Sequence, residues 1–332
     1  MDDVPLLELR DVRVEFLTRD GIARVLDGIN FSLMPGETLG IVGESGCGKS
    51  MTALTIMGLV PTPPGRIAGG QVLLDGEDLL RAAPERIRRV RGNDISMVFQ
   101  EPMTSLNPVF TVGEQIAETV RLHQGLSRED AKQHAIDMLN AVGIPVPERR
   151  VNEYPHQLSG GMRQRVMIAI GLACNPRVLI ADEPTTALDV TVQAQIFDLL
   201  VDLKQRTGTA MILITHDMGV IAEMTDRVIV MYAGRVVEQG PVELILSRPL
   251  HPYTQGLIEC VPHLEAKPKL VREPLMEIPG VVPPLTDLGS GCAFAPRCAH
   301  ALDQCREVAP NLVALSADHH AACWLHGQEQ AQ

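Results

Sequence analysis

The sequence predicts an α/β fold built on a parallel sheet, followed by a small irregular C-terminal region, and three observations carry that reading. Short apolar runs closed by turn residues alternate with helical patterns along most of the chain. A glycine-rich turn, Gly43-Glu44-Ser45-Gly46-Cys47-Gly48-Lys49-Ser50, stands between one such run and a helical segment beginning near Ser50. Beyond about Gly240 the texture changes: eight prolines fall between Pro249 and Pro284, and regular periodicity fades.

Residues 6–16 and 24–33 read as the first strands, joined by the turn residues Thr18-Arg19-Asp20-Gly21. The run 38–42 is short, wholly apolar apart from Thr38 and closed by Gly43, which suits a strand buried on both faces. Residues 111–143 carry a polar-faced helical pattern ended by a loop containing Pro145 and Pro147. Residues 178–181 and 211–215 again read as buried strands, with a helix over 192–206 crossing between them. These elements divide the chain into a principal domain over 1–240, with a helical subdomain at about 101–170, and an extension over 241–332. No internal repeat is evident.

Composition excludes several functions. With 29 Lys and Arg against 41 Asp and Glu, the net charge is −12, and the one Arg-rich run, 86–91, is short, so a grip on nucleic-acid phosphates is not expected. No apolar stretch approaches the ~18 residues that span a bilayer. The acidic start Met1-Asp2-Asp3 lacks the basic-then-apolar order of a secretion signal, which places the chain in the cytosol with membrane contact only through other proteins.

The glycine-rich turn fits G-x-x-x-x-G-K-[ST] in the strand-to-helix setting that the motif requires. Its glycines let successive backbone N–H groups and the helix N-terminus close around phosphate oxygens. Lys49 then reaches the β/γ-phosphates, and the Ser50 hydroxyl ligates Mg²⁺. Cys47 reads as filler within the loop, although a helix N-terminus can lower a thiol's pKa, and Met51 closes the candidate nucleotide-binding run. A second apolar run ends in Asp182-Glu183. There Asp182 can hold Mg²⁺ through water, and Glu183, beside the terminal phosphate, is the candidate general base.

Leu158-Ser159-Gly160-Gly161-Met162, shortly before that acidic strand end, resembles the signature of ATP-binding cassettes, with Met162 where Gln is commoner. The chain is thereby identified as similar to the ABC transporter ATPases over roughly residues 5–265. The resemblance implies an ABC-type P-loop NTPase core with an antiparallel β subdomain and an inserted helical subdomain, binding ATP with Mg²⁺. It also implies roles for single residues. Gln100 would touch Mg²⁺ and the attacking water, Asp189 of Ala187-Leu188-Asp189 would cross a dimer interface, and His216 would contact the terminal phosphate. Ser159, Gly160 and Gly161 would donate to an ATP held by a partner subunit, and Phe16 would stack on adenine. The stretches 98–108 and His251-Pro252-Tyr253-Thr254 look like the dipeptide/oligopeptide importer branch. That branch implies a second ABC ATPase, two membrane permeases and an external peptide-binding protein as partners, with the chain at the cytoplasmic face of the inner membrane. A nickel chelate or a heme precursor is an alternative solute. A soluble ABC ATPase acting on DNA or ribosomes fits the acidic single cassette poorly, and intact Glu183 and His216 argue against a non-hydrolysing sensor.

Cys292, Cys298, Cys305 and Cys323 are separated by 5, 6 and 17 residues, which fits no paired C-x₂-C zinc site. Four thiolates from irregular loops suit a [4Fe–4S] cluster, and the surrounding segment has little periodic apolar content to fold without a staple. The expectation is therefore an iron–sulfur cluster, with structural zinc, or plain buried or disulfide-bonded cysteines, as alternatives.

Overall fold

The computed structural model describes residues 4–185, 188–261 and 277–326. In chain order its strands are β1 (Leu7–Thr18), β2 (Gly21–Leu33), β3 (Thr38–Val42), β4 (Gly65–Leu74), β5 (Glu77–Asp78), β6 (Ile95–Val98), β7 (Val178–Asp182), β8 (Ala210–Ile214), β9 (Arg227–Tyr232), β10 (Arg235–Pro241), β11 (Val313–Ala314) and β12 (His320–Ala321). They form an antiparallel sheet ordered β2-β1-β4-β5 and a larger sheet ordered β11-β12-β10-β9-β3-β8-β7-β6. Within the larger sheet β6, β7, β8, β3 and β9 are parallel. Every residue of β3, β7 and β8 is buried, as helices on both faces of a parallel sheet require, and this is why those runs are continuously apolar. In β1 the apolar alternation slips phase between Leu9 and Val12, where Asp11 (φ 46°) forms a bulge.

The helical pattern over 111–143 resolves into two helices. The first, Val112–Gln124, is capped by the Thr111 hydroxyl and stopped by Gly125 (φ 69°). The Ser127 side chain then caps Arg128–Ala141. Their buried faces, including Ile116, Val120 and Leu139, join Val166 and Ile168 of the helix Gly160–Leu172 and Leu179 and Leu213 of the sheet in one core cluster. The helical subdomain is thus packed directly onto β7 and β8, whose upper ends carry the candidate site.

The described part of the C-terminal extension is fastened to the sheet rather than hung from it. β12 pairs with β10, placing Ala321 opposite Glu238. The Glu238 carboxylate, fully buried, accepts the backbone N–H groups of Leu250 and His251 at 2.8 Å each, and His319 Nε2 lies 2.7 Å away. Tyr253 and Phe294 pack with Val42, Val230 and Tyr232 in a third core cluster.

That cluster and the Glu238 group do the holding for which the sequence suggested a metal. The iron–sulfur expectation for Cys292, Cys298, Cys305 and Cys323, and the zinc alternative with it, is overturned: among the described residues no group of three or more His, Cys, Asp or Glu side chains is arranged to hold a metal ion. The four thiols are free and line one narrow cleft with Phe294, Trp324 and Leu325. Burial pushes the Cys292, Cys298 and Cys323 thiols up, Cys323 to about 11, so they pack as neutral, weakly polar side chains.

His251 caps the helix Pro252–Glu259, its Nδ1 accepting the Tyr253 N–H at 3.0 Å, with its ring 5.7 Å from that of Phe294. Burial, with a smaller contribution from His326, drives its pKa from 6.5 down to about 3. A depressed folded value means that the neutral ring is the folded form, so this contribution is complete above about 6.5 and is lost as pH falls toward 3. His251→Asn, which keeps a capping acceptor without a titrating ring, is expected to flatten the fall in melting temperature between pH 6.5 and pH 4 relative to the parent chain. Parallel curves would contradict the assignment.

Candidate functional site

The glycine-rich loop leaves β3 and enters the helix Lys49–Ile56, and three of its residues adopt backbone angles that favour glycine: Gly43 (φ 152°), Gly46 (φ 79°) and Gly48 (φ 107°). At Gly43 a Cβ would collide with the Met231 carbonyl of β9, and at Gly48 with the Val25 carbonyl, so neighbouring strands mould the loop from outside. Lys49, buried, donates through Nζ to the carbonyls of Gly43 (2.7 Å) and Glu44 (3.0 Å). Ser45 and Gly46 stay exposed at the loop's rim. Cys47 is fully buried, and burial raises its thiol pKa against the lowering pull of Lys49, so it is no reactive thiolate. Met51 packs against the core behind the loop.

Across from the loop, the Ser50 hydroxyl donates to Asp182 Oδ1 at 3.1 Å. Asp182 is 4% exposed, and burial holds its carboxyl above the usual range, with the Ser50 hydrogen bond opposing and the Glu183 charge adding to the rise. A serine hydroxyl and a desolvated carboxylate in hydrogen-bond contact form a donor set that suits a hard divalent cation. Glu183 follows at the strand end with φ 45°, strained for a side chain other than Gly or Asn, and its N–H is tied to Ile214 O at 2.9 Å. Its Oε2 accepts from Gln100 Nε2 at 2.7 Å, and its Oε1 lies 3.5 Å from His216 Nδ1. Gln100 arrives from the end of β6 and His216 from the end of β8, on either side of β7 in the sheet. Three candidates far apart in sequence therefore meet at one carboxylate.

Two family models match the chain: the ABC transporter family over residues 26–186 and the C-terminal region of oligopeptide/dipeptide transporters over 237–305. A probable peptide ABC transporter ATP-binding protein of Sinorhizobium fredii is 54% identical over 96% of this chain and 94% of its own length. The oligopeptide transport ATP-binding protein OppD of Bacillus subtilis is 50% identical over 96% of this chain and 88% of its own. The chain belongs to the ABC transporter family. It falls among the peptide-transporter ATP-binding proteins and is an ATP-hydrolysing cassette. A dimeric post-hydrolysis structure of the ATP-binding cassette MJ0796, bound to ADP and Pi, superposes with a TM-score of 0.64 at 30% identity, covering 71% of this chain and 98% of that one.

In this cassette the run that resembles the signature sits at the start of the helix Gly160–Leu172, where the Ser159 hydroxyl accepts the Met162 N–H at 3.3 Å. A Cβ on Gly161 would press on Val192, and one on Gly160 would approach Leu188, so the signature lies against the segment carrying Asp189. Asp189 itself caps the helix Val190–Thr207 by accepting the Val192 N–H at 3.0 Å. Ala187 lies outside the described residues. Phe16 is half-buried on β1 and packs against the core, its ring edge covering Gly65. Among the described residues no helix is long and apolar enough to cross a membrane.

Sequence reasoning missed two residues at the loop. The Glu44 N–H donates to Tyr253 Oη at 2.7 Å, and the Glu44 carboxylate is held by the Arg297 guanidinium. Tyr253 stood in the sequence only inside a family-like stretch, and Arg297, 253 positions from Glu44, carried no signal.

Proposed function

We propose that this chain is one of two ATPase subunits that drive uptake of dipeptides or oligopeptides, docked on two permeases at the cytoplasmic face of the membrane and served by an external peptide-binding protein. The similarity to peptide and oligopeptide transporter ATP-binding proteins supports the peptide class. The observation that carries the catalytic part of the reading is the meeting of Gln100, Glu183 and His216 beside the Ser50–Asp182 pair. Lys49 and the loop's backbone N–H groups hold the phosphates. Ser50, Asp182 and Gln100 would hold Mg²⁺, which when bound would supply positive charge to offset that of the phosphates. Glu183 orients the attacking water and takes its proton, while Gln100 and His216 fix the direction of the carboxylate. Ser159, Gly160 and Gly161 donate to the nucleotide of the second ATPase, Asp189 faces that subunit, and Phe16 flanks the adenine.

The test is reconstitution of the chain with its permeases and partner ATPase in proteoliposomes. Labelled di- and tripeptides are expected to accumulate only with ATP, and Lys49→Ala to abolish accumulation. ATP-dependent uptake of a nickel chelate or a heme precursor without peptide uptake would reassign the solute.

A further inference from the structure

The C-terminal region reaches into the phosphate loop itself. Arg297, whose side chain is 4% exposed, stands in a short 3₁₀ turn, Ala295–Arg297, and spends all five of its N–H donors on fixed acceptors. Nη1 and Nη2 grip the two Glu44 carboxylate oxygens at 2.6 and 3.0 Å, a bidentate pair. The remaining donors go to Tyr232 Oη (3.3 Å), Ile278 O (3.1 Å) and Pro279 O (2.8 Å). A fork with this many matched acceptors cannot be reproduced by lysine. Tyr253, fully buried with its ring 4.7 Å from that of Tyr232, receives the Glu44 N–H.

Glu44 is therefore held at both its N–H and its carboxylate by residues of the C-terminal region, and its carbonyl is one of the two oxygens that hold the Lys49 ammonium. The path Arg297/Tyr253 to Glu44 to Lys49 consists of four hydrogen bonds and one intervening residue.

We infer that Arg297 and Tyr253 are positioning residues for the nucleotide site: through Glu44 they set where the Lys49 ammonium waits for phosphate, so that packing of the C-terminal region and ATP affinity are coupled. Coupling of this kind is reciprocal, and nucleotide binding in turn tightens the C-terminal region. The inference rests on the assignment of Lys49 to the phosphates.

The experiment uses the full chain, titrated with a fluorescent ATP analogue, alongside melting curves without nucleotide. Arg297→Ala is expected to weaken analogue binding about fivefold to tenfold, and Arg297→Lys to restore little of it. Arg297→Ala combined with Glu44→Ala should bind no worse than Glu44→Ala alone, because both changes cut one path. Tyr253→Phe, which removes a single oxygen from an otherwise intact aromatic cluster, should weaken binding about threefold and serves if Arg297→Ala does not fold. A lower melting temperature with analogue affinity within about twofold of the parent in Arg297→Ala, or additive losses in the double variant, overturns the proposal. Lys49→Ala is the control: loss of binding there with none in Arg297→Ala defeats the positioning role alone, whereas undiminished binding in Lys49→Ala defeats the phosphate-site assignment beneath it.

Discussion

Glu183→Gln is expected to lower ATP turnover in the assembled transporter by about 10²- to 10⁴-fold while leaving nucleotide binding intact. The amide keeps the size of the side chain and can still meet Gln100 and His216, which lie 2.7 and 3.5 Å from the carboxylate, so the site should stay assembled. What is lost is a group able to take a proton from water. Since the phosphate-holding residues are untouched, the variant should accumulate in an ATP-bound dimeric state, visible as a stable larger species in size-exclusion chromatography with ATP. Turnover within a few-fold of the parent, with the partner's site shown to be silent, would remove Glu183 from the base role. His216→Ala leaves the carboxylate in place but less constrained, and a smaller loss is expected from it.

Glu238→Ala is expected to cost about 3–5 kcal/mol of stability, because it strips the acceptor from three donors that converge on a fully buried carboxylate. His251 and His319 are buried, Leu250 is half-buried, and the carboxylate they share is fully buried. Glu238→Gln retains one acceptor oxygen, and about half that cost is expected. The damage should begin in the C-terminal region, since β12 pairs with β10 at Glu238 and the helix Pro252–Glu259 starts beside it. Denaturant midpoints and limited proteolysis measure this directly. A Glu238→Ala protein that unfolds at the parent's midpoint would show that the fastening lies elsewhere.

Much of the cassette could be read from contiguous residues. The strand Thr38–Val42 was expected at those bounds, and the loop after it was assigned from eight consecutive residues whose spacing dictates backbone angles. The same holds for the acidic end of β7 and for Ser159, whose capping bond is made to a residue three positions on. Where sequence reading stopped short, the missing information was nonlocal. A single helical pattern over 111–143 concealed a break at Gly125, because both helices present apolar faces to one core. The cysteines illustrate the opposite error: a thin local apolar pattern suggested a metal staple, yet Cys292 and Cys298 pack against a core cluster that includes Val42 of β3 and Val230 of β9, the former more than two hundred positions upstream.

By itself, then, the sequence determined the buried strand at 38–42, the glycine-rich loop after it, the acidic strand end and the signature-like run, each legible in residues that are near neighbours along the chain. Only the tertiary structure decided that Gln100 and His216 meet at Glu183, that Glu238 anchors the C-terminal region, and that Arg297 closes on Glu44. The physical reason is that a bond between residues 253 positions apart depends on the sum of all the packing between them, and on the loop entropy that packing must offset, neither of which either residue records in its own surroundings.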